Sequence, residues 1–268
     1  MTNFPQGWPK FAQSTVLWRP APAAIVVASL VPLTATVRQA GNATVRVDSG
    51  YPFGDTATIT VAAPAAVTVA VRIPGWATAA TVDGKPAANG TLVSTLCSAG
   101  STTIAVDLAP RVRVERGWGN TVERSPPADA VAVVRGPLVF ALHPRENRTI
   151  VRNYTTTPPT AGEHAPDYMI DTNETWNYAL DLGTAPVFSA KPSPGWDDSF
   201  AFDDSGQYPF SIEVDGCQAA LWGHWKGSKI TAPPPVSPVA RAECGPTARL
   251  KLVPFGGTNL RISVFPHV

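Results

Sequence analysis

Proline is the feature that most limits this chain. It occurs 28 times in 268 residues, close to every tenth position. A proline inside a helix removes a hydrogen bond and clashes with the preceding turn, so long uninterrupted helices are excluded. Only Asn3 to Gln13 reads as helical, with Pro9 set near a first turn where its missing N–H costs little. Such a short piece is marginal alone and needs a larger body to pack against. Charged residues make up 15% and hydrophobic ones 44%, which is too apolar for a disordered chain. The net charge of +1 lacks the basic excess of a nucleic-acid binder. The most apolar run, Ala21 to Leu33, is short and broken by prolines, so it reads as strand rather than membrane span.

From Val16 onward the hydrophobic period is two. Thr34–Arg38, Ala43–Val47, Ala57–Val61, Val67–Ile73, Thr102–Leu108 and Arg111–Glu115 alternate, and Ala24–Leu30 is a β-branched apolar run. Alternation sets one face on a core and the other in water. Turn residues separate the strands, and Asp83-Gly84 sits where a tight hairpin is favoured. Ala130–Leu142 is interrupted by Gly136-Pro137, which predicts a bulge or sharp bend. Strands recur roughly every 8–12 residues, as in an all-β sandwich. With no helix-length crossovers, the pairing is expected to be antiparallel.

Residues 144 to 210 are less regular. Strands are expected again at Phe210–Val214 and Ala219–Trp222, followed by an extended surface connector over Thr231–Val239. Ala248–Pro254 and Asn259–Phe265 are expected to pair through a turn at Gly256-Gly257. The predicted architecture is all-β, with two antiparallel β-sandwich domains behind a short N-terminal helix. The domain reading is 1–15 helical, 16–142 a first sandwich and 143–268 a second.

Five of the nine asparagines lie in N-x-Thr acceptor sites: Asn42, Asn89, Asn147, Asn153 and Asn173. Chance would place about one or two. The excess points to a secretory-pathway protein with acceptor loops facing solvent. Met1 to Phe11 lacks the pattern of a signal peptide, so a missing N-terminal part is expected. Cys97, Cys217 and Cys244 show no zinc-site spacing. Cys217 and Cys244 share the C-terminal third; they form either a disulfide or two buried thiols.

No catalytic constellation is legible. His143, His164, His224 and His267 have no ligand spacing. Asp197, Asp198, Asp203 and Asp204 read as a solvated acidic turn rather than a calcium loop. Trp118, Trp196, Trp222 and Trp225 lie in polar or Gly-rich surroundings and are candidates for stacking on sugar faces, with core packing the commoner fate of tryptophan.

Several segments in order resemble one family. They are Asn3-Phe4-Pro5-Gln6-Gly7-Trp8-Pro9-Lys10-Phe11, Tyr51-Pro52-Phe53-Gly54-Asp55, Arg72-Ile73-Pro74-Gly75-Trp76 with Val82-Asp83-Gly84, Val133-Val134-Arg135-Gly136-Pro137-Leu138-Val139-Phe140, and Leu252-Val253-Pro254-Phe255-Gly256 with Leu260 to Pro266. Together they resemble the eukaryotic and fungal branch of glycoside hydrolase family 127, the β-L-arabinofuranosidase-like group. That resemblance implies an α/α catalytic barrel followed by β-sandwich domains, with this chain matching the latter. It implies that residues 1–15 are a remnant of the last barrel helix. It also implies that a zinc-bound cysteine nucleophile, its Cys and Glu ligands and a Glu acid/base lie upstream of residue 1. No catalytic, cofactor-binding or metal-binding residue is then carried by this chain, and zinc is expected only in the barrel. The implied partner is that barrel, in cis or as a separate chain, and the chain alone is expected to be inactive. The alternatives are a free-standing carbohydrate-binding module and a degenerate structural fragment. Neither nucleic acid nor a membrane is expected as a partner.

Overall fold

The computed structural model describes residues 4–118, 129–152, 166–193, 207–225, 228 and 230–268. Two compact units emerge, Met1–Arg111 and Val112–Val268. The division falls well before the expected boundary at 142/143. The reason is non-local pairing: Phe140–Leu142 bond to Leu252–Pro254, and Val131 bonds Phe265, so the 130–142 region is held by the C-terminal third.

The first unit opens with α1 (Phe4–Gln13). Pro9 lies inside this helix rather than in its first turn and deletes one helical hydrogen bond. Gln6 to Ser14 are all exposed. The Trp8 and Phe11 rings meet at 5.7 Å on one side, with Trp8 70% exposed.

Behind it come β1 (Val16–Pro20), β2 (Ala23–Val27), β3 (Leu33–Val37), β4 (Ala43–Ser49), β5 (Thr56–Ala63), β6 (Val67–Arg72), β7 (Thr81–Val82), β8 (Lys85–Pro86), β9 (Leu92–Cys97) and β10 (Gly100–Asp107). They form two sheets, ordered β1-β2-β6-β9 and β3-β4-β5-β10-β7-β8. Inward residues of both sheets share one core: Ile25, Val27, Val69 and Val71 from the smaller, Val45, Ile59, Val61, Ile104 and Val106 from the larger. Cys97 is a free thiol inside that core, and burial pushes its pKa up.

One pairing departs from expectation. β2 runs parallel to β6, with Ile25 opposite Val69 and Val27 opposite Val71. A parallel pair needs a long crossover but not a helical one. Here β3, β4 and β5 serve as the crossover through the facing sheet. The hairpin at Asp83-Gly84 forms as its sequence demands. Both residues have positive φ, 49° and 72°, which matches the twist of a two-residue turn. The Asp83 carboxylate then accepts the Ala105 amide at 2.8 Å, and the Asp83 amide donates to the Ala105 carbonyl at 2.8 Å.

The second unit contains β11 (Val112–Trp118), β12 (Ala130–Arg135), β13 (Leu138–Leu142), β14 (Asn147–Arg152), β15 (Asp167–Asp171), β16 (Tyr178–Asp181), β17 (Val187–Ser189), β18 (Ser211–Ala219) and β19 (Cys244–Pro254). Its main sheet is ordered β11-β12-β13-β19-β18-β16, with β17 also on β18 and β14/β15 as a separate hairpin. Gly136-Pro137 is the sharp bend: Arg135 pairs with Leu138 across a two-residue turn.

Two expected strands are absent. β18 runs unbroken to Ala219, and Ala219–Trp222 is a turn closed by the Trp222 amide on the Ala219 carbonyl at 2.9 Å. Asn259–Phe265 does not pair with β19. A single 3-10 turn at Phe255–Gly257 redirects the chain. Ile262 then bonds Leu142 and Phe265 bonds Val131, while the Leu180 amide donates to Pro266 and its carbonyl accepts from Val268. In a flat sheet β12 and β16 would be four strand spacings apart, about 19 Å. Phe265 and His267 span at most about 7 Å. The sheet must therefore curl so that one short segment touches both. Thr231–Val239 is irregular, as expected, but its last part is no surface connector. Ser237 and Val239 are buried, and the closing segment bonds both: the His267 amide donates to Ser237 Oγ and the Val239 amide to the His267 carbonyl.

Candidate functional site

A cleft of about 330 Å3 with mixed polar and apolar lining lies in the second unit. Its floor comes from the end of β15 and the bend that follows, with Ile170, Asp171, Asn173 and Trp176. One wall is His224 and Thr231, and the other is the closing segment at Leu260–Ile262. Trp176 is half-buried and held on two sides. Its ring stands edge-on to Trp222 at 5.3 Å and tilted to His224 at 5.4 Å. Asn177 secures the same corner, donating from Nδ2 to the Trp222 carbonyl at 2.7 Å and the Ala219 carbonyl at 3.1 Å.

Trp176 was not among the tryptophans singled out in the sequence. Its only signal was adjacency to the Asn173-Glu174-Thr175 acceptor. Of those singled out, Trp222 is corrected: it is 3% exposed, and its indole N–H donates to the Ala232 carbonyl at 2.8 Å. A buried indole with its polar edge satisfied is core, and cannot stack on a ligand. Trp225 is 49% exposed and does not line the cleft. Trp196 and the side chain of Trp118 lie outside the described residues, as do Asn153, His164 and the Asp197–Asp204 acidic stretch.

The closing wall is positioned by Glu146, whose side chain is 7% exposed. Its carboxylate accepts the amides of Asn259 at 3.2 Å and Leu260 at 2.9 Å, Arg148 Nη2 at 2.9 Å and His143 Nε2 at 3.1 Å. Burial pushes the carboxyl up, but the hydrogen bonds from Leu260, Arg148, His143 and Asn259 outweigh it and hold the pKa down to about 2. Glu146 and His143 are thus occupied in anchoring the loop. His267 has a similar part: Arg116 Nη1 donates to its Nε2 at 2.8 Å, which sets the ring proton on Nδ1.

A second, more polar recess of about 510 Å3 lies along β18 and β19. Its carboxylates already have arginine partners, Asp181 with Arg241 at 3.0 Å and Asp215 with Arg249 at 2.9 Å. The Gly183 amide and Arg241 hold Asp181 below the usual carboxylate range. The disulfide Cys217–Cys244 borders the recess, with Cα atoms 5.4 Å apart. Among the described residues no group of three or more His, Cys, Asp or Glu could hold a metal ion. No described helix is long and apolar enough to cross a membrane.

The acceptor asparagines differ in their surroundings. Asn42, Asn89, Asn147 and Asn173 are all exposed. Asn89 Nδ2 donates to the Gly75 carbonyl at 2.8 Å, and Asn147 Nδ2 to Asp171 Oδ1 at 3.4 Å.

The described chain is all-β, built as two units with a short N-terminal helix. No protein-family model matches the sequence, and no curated protein does. Its fold is similar to part of Ara127N-Se, a GH127 β-L-arabinofuranosidase from Geobacillus stearothermophilus T6. The identity is 14% and the TM-score 0.54, over 96% of this chain and 35% of that one. It is also similar to a solved glycoside hydrolase at 17% identity and TM-score 0.51, over 88% of this chain and 34% of the other. The chain spans about a third of the length of the structures it matches.

Proposed function

We propose that residues 1–268 form the non-catalytic β region of a glycoside hydrolase of the family 127 kind, in which they brace a catalytic barrel. The observation that carries this reading is the coverage. Nearly the whole chain, 96%, finds its counterpart within 35% of a GH127 β-L-arabinofuranosidase. The ordered motifs of the sequence, from Asn3-Phe4-Pro5 to the closing Leu260–Pro266, resemble the same family. Two lines of different kinds, residue motifs and backbone topology, meet on one group. The whole protein's reaction is then removal of arabinofuranosyl units from glycans in a secretory or extracellular setting. The barrel, in cis or as a separate chain, supplies the nucleophile and the zinc.

Trp222 in the core weakens the competing idea of a module with several coplanar tryptophans. The test is direct. Purified residues 1–268, incubated with an aryl β-L-arabinofuranoside, should release no more arabinose than a buffer blank. Turnover by this chain alone overturns the reading.

A further inference from the structure

We propose that Asn173 carries an N-linked glycan whose first N-acetylglucosamine lies in the Trp176 cleft, so that the chain's own sugar fills this site. Three observations converge. The acceptor Asn173-Glu174-Thr175 forms an exposed bend between β15 and β16. The Asn173 side-chain amide makes no hydrogen bond among the described residues, unlike those of Asn89 and Asn147. Asn173 and Trp176, three residues apart, line the same cavity.

The cavity suits a single sugar ring. Its volume, about 330 Å3, is at the lower end of the roughly 300–1,000 Å3 of small-molecule sites. The half-buried Trp176 indole offers apolar surface to pyranose C–H groups. Asp171, His224 and Arg261 around it bear groups that bond hydroxyls and an acetamide. Trp176 is already pinned by Trp222 and His224, so little side-chain freedom is lost on stacking. A covalent tether three residues away makes the contact intramolecular, so even weak stacking is populated.

The covalent step is ordinary transfer from a lipid-diphosphate oligosaccharide. The amide nitrogen of Asn173 attacks the anomeric carbon. The N–C1 bond forms, the C1–O bond to the diphosphate breaks, the lipid diphosphate departs and one amide proton is lost to base. The remaining N–H stays on the linkage.

The experiment is secretion of residues 1–268 from a eukaryotic host, followed by peptide mass spectrometry and enzymatic trimming to a single N-acetylglucosamine. Asn173 should be occupied. The acetamido methyl of the trimmed sugar should move upfield by ring current and show a nuclear Overhauser contact to the Trp176 indole. The trimmed form should melt about 2–4 °C above the Thr175→Ala protein, which lacks this acceptor but keeps Asn173 and Trp176. An unmodified Asn173 overturns the proposal. So does a sugar methyl at its free-solution position with no change in melting. A second measurement does not depend on secretion: unglycosylated bacterial protein is titrated with N,N′-diacetylchitobiose. Saturable perturbation of the Trp176 indole N–H supports the site, and none at high millimolar sugar overturns it. Either outcome leaves the arabinoside assay on this chain unaffected.

Discussion

Val131 and Leu142 fall opposite each other in the register of the β12/β13 hairpin, in which Val133 faces Phe140, yet they do not bond to each other. Phe265 exchanges both backbone hydrogen bonds with Val131 at 2.8 Å, and Ile262 exchanges its own with Leu142 at 2.8 and 3.0 Å. The hairpin is splayed at its open end and the last residues of the chain are inserted between its arms. Phe265 is wholly buried there. Phe265→Ala should destabilise the second unit by about 3–5 kcal/mol, measured by urea unfolding. A cost under about 1 kcal/mol would mean the insertion is peripheral.

Glu146 ties that segment down and should make stability depend on acid. Its carboxyl ionises at about 2 in the folded chain against an ordinary 4.5. The stabilisation is fully present above pH 4.5, where both states are ionised, and is lost as pH falls from 4.5 toward 2. The gap corresponds to about 3 kcal/mol. Glu146→Gln should lower stability at neutral pH by about 1.5–3 kcal/mol and flatten this acid limb. Chemical denaturation between pH 2 and pH 7 checks both. An unchanged limb in the variant would assign the acid sensitivity to other groups.

The Cys217–Cys244 disulfide closes a loop with a sequence separation of 27 between adjacent strands β18 and β19. Loop-closure entropy assigns it about 3.5 kcal/mol. The double Cys217→Ser/Cys244→Ser variant should unfold at correspondingly lower guanidinium. Free-thiol titration under denaturing, non-reducing conditions should find one reactive thiol, Cys97. Three reactive thiols would contradict the bond.

Gly216 sits mid-strand in β18, between β16 and β19. A Cβ there would come within 2.8 Å of Leu250 Cδ1 and 2.9 Å of the Ala179 carbonyl oxygen. The leucine tip can shift, but a ladder carbonyl cannot. Gly216→Ala should cost about 1–3 kcal/mol, read as a lowered thermal midpoint. Gly75→Ala, with nothing within 4 Å of its Cβ, is the matched control and should cost far less.

The parts legible beforehand are those set by local rules. The β4, β5 and β10 positions follow from period-two alternation, and the 83–84 hairpin from the need for two positive φ values. The bend at Gly136-Pro137 follows from a missing side chain and a fixed φ. The misread parts all involve distant partners. Ala219–Trp222 has strand-like composition, but Trp222 is drawn into a core with Ala179, Cys217 and Val239. Asn259–Phe265 alternates as a partner for β19 would, but Glu146 captures Asn259 and Leu260 and sends the segment between β12 and β13. Trp176 lies between an acceptor threonine and Asn177, and nothing local separates it from the other tryptophans. Its cleft exists only because the end of β15, His224 with Thr231, and the closing segment converge.

The sequence by itself determined that the described chain is all-β behind a short N-terminal helix. Proline spacing removes long helices, and alternation needs only neighbours to express itself. Tertiary structure alone decided where the units divide, how β2 and β6 come to run parallel, how the second sheet curls and which tryptophan faces a cavity. Those outcomes depend on pairings between residues far apart in the chain. Any alternating strand can join many edges, and which edge it joins is settled by the packing of the whole unit.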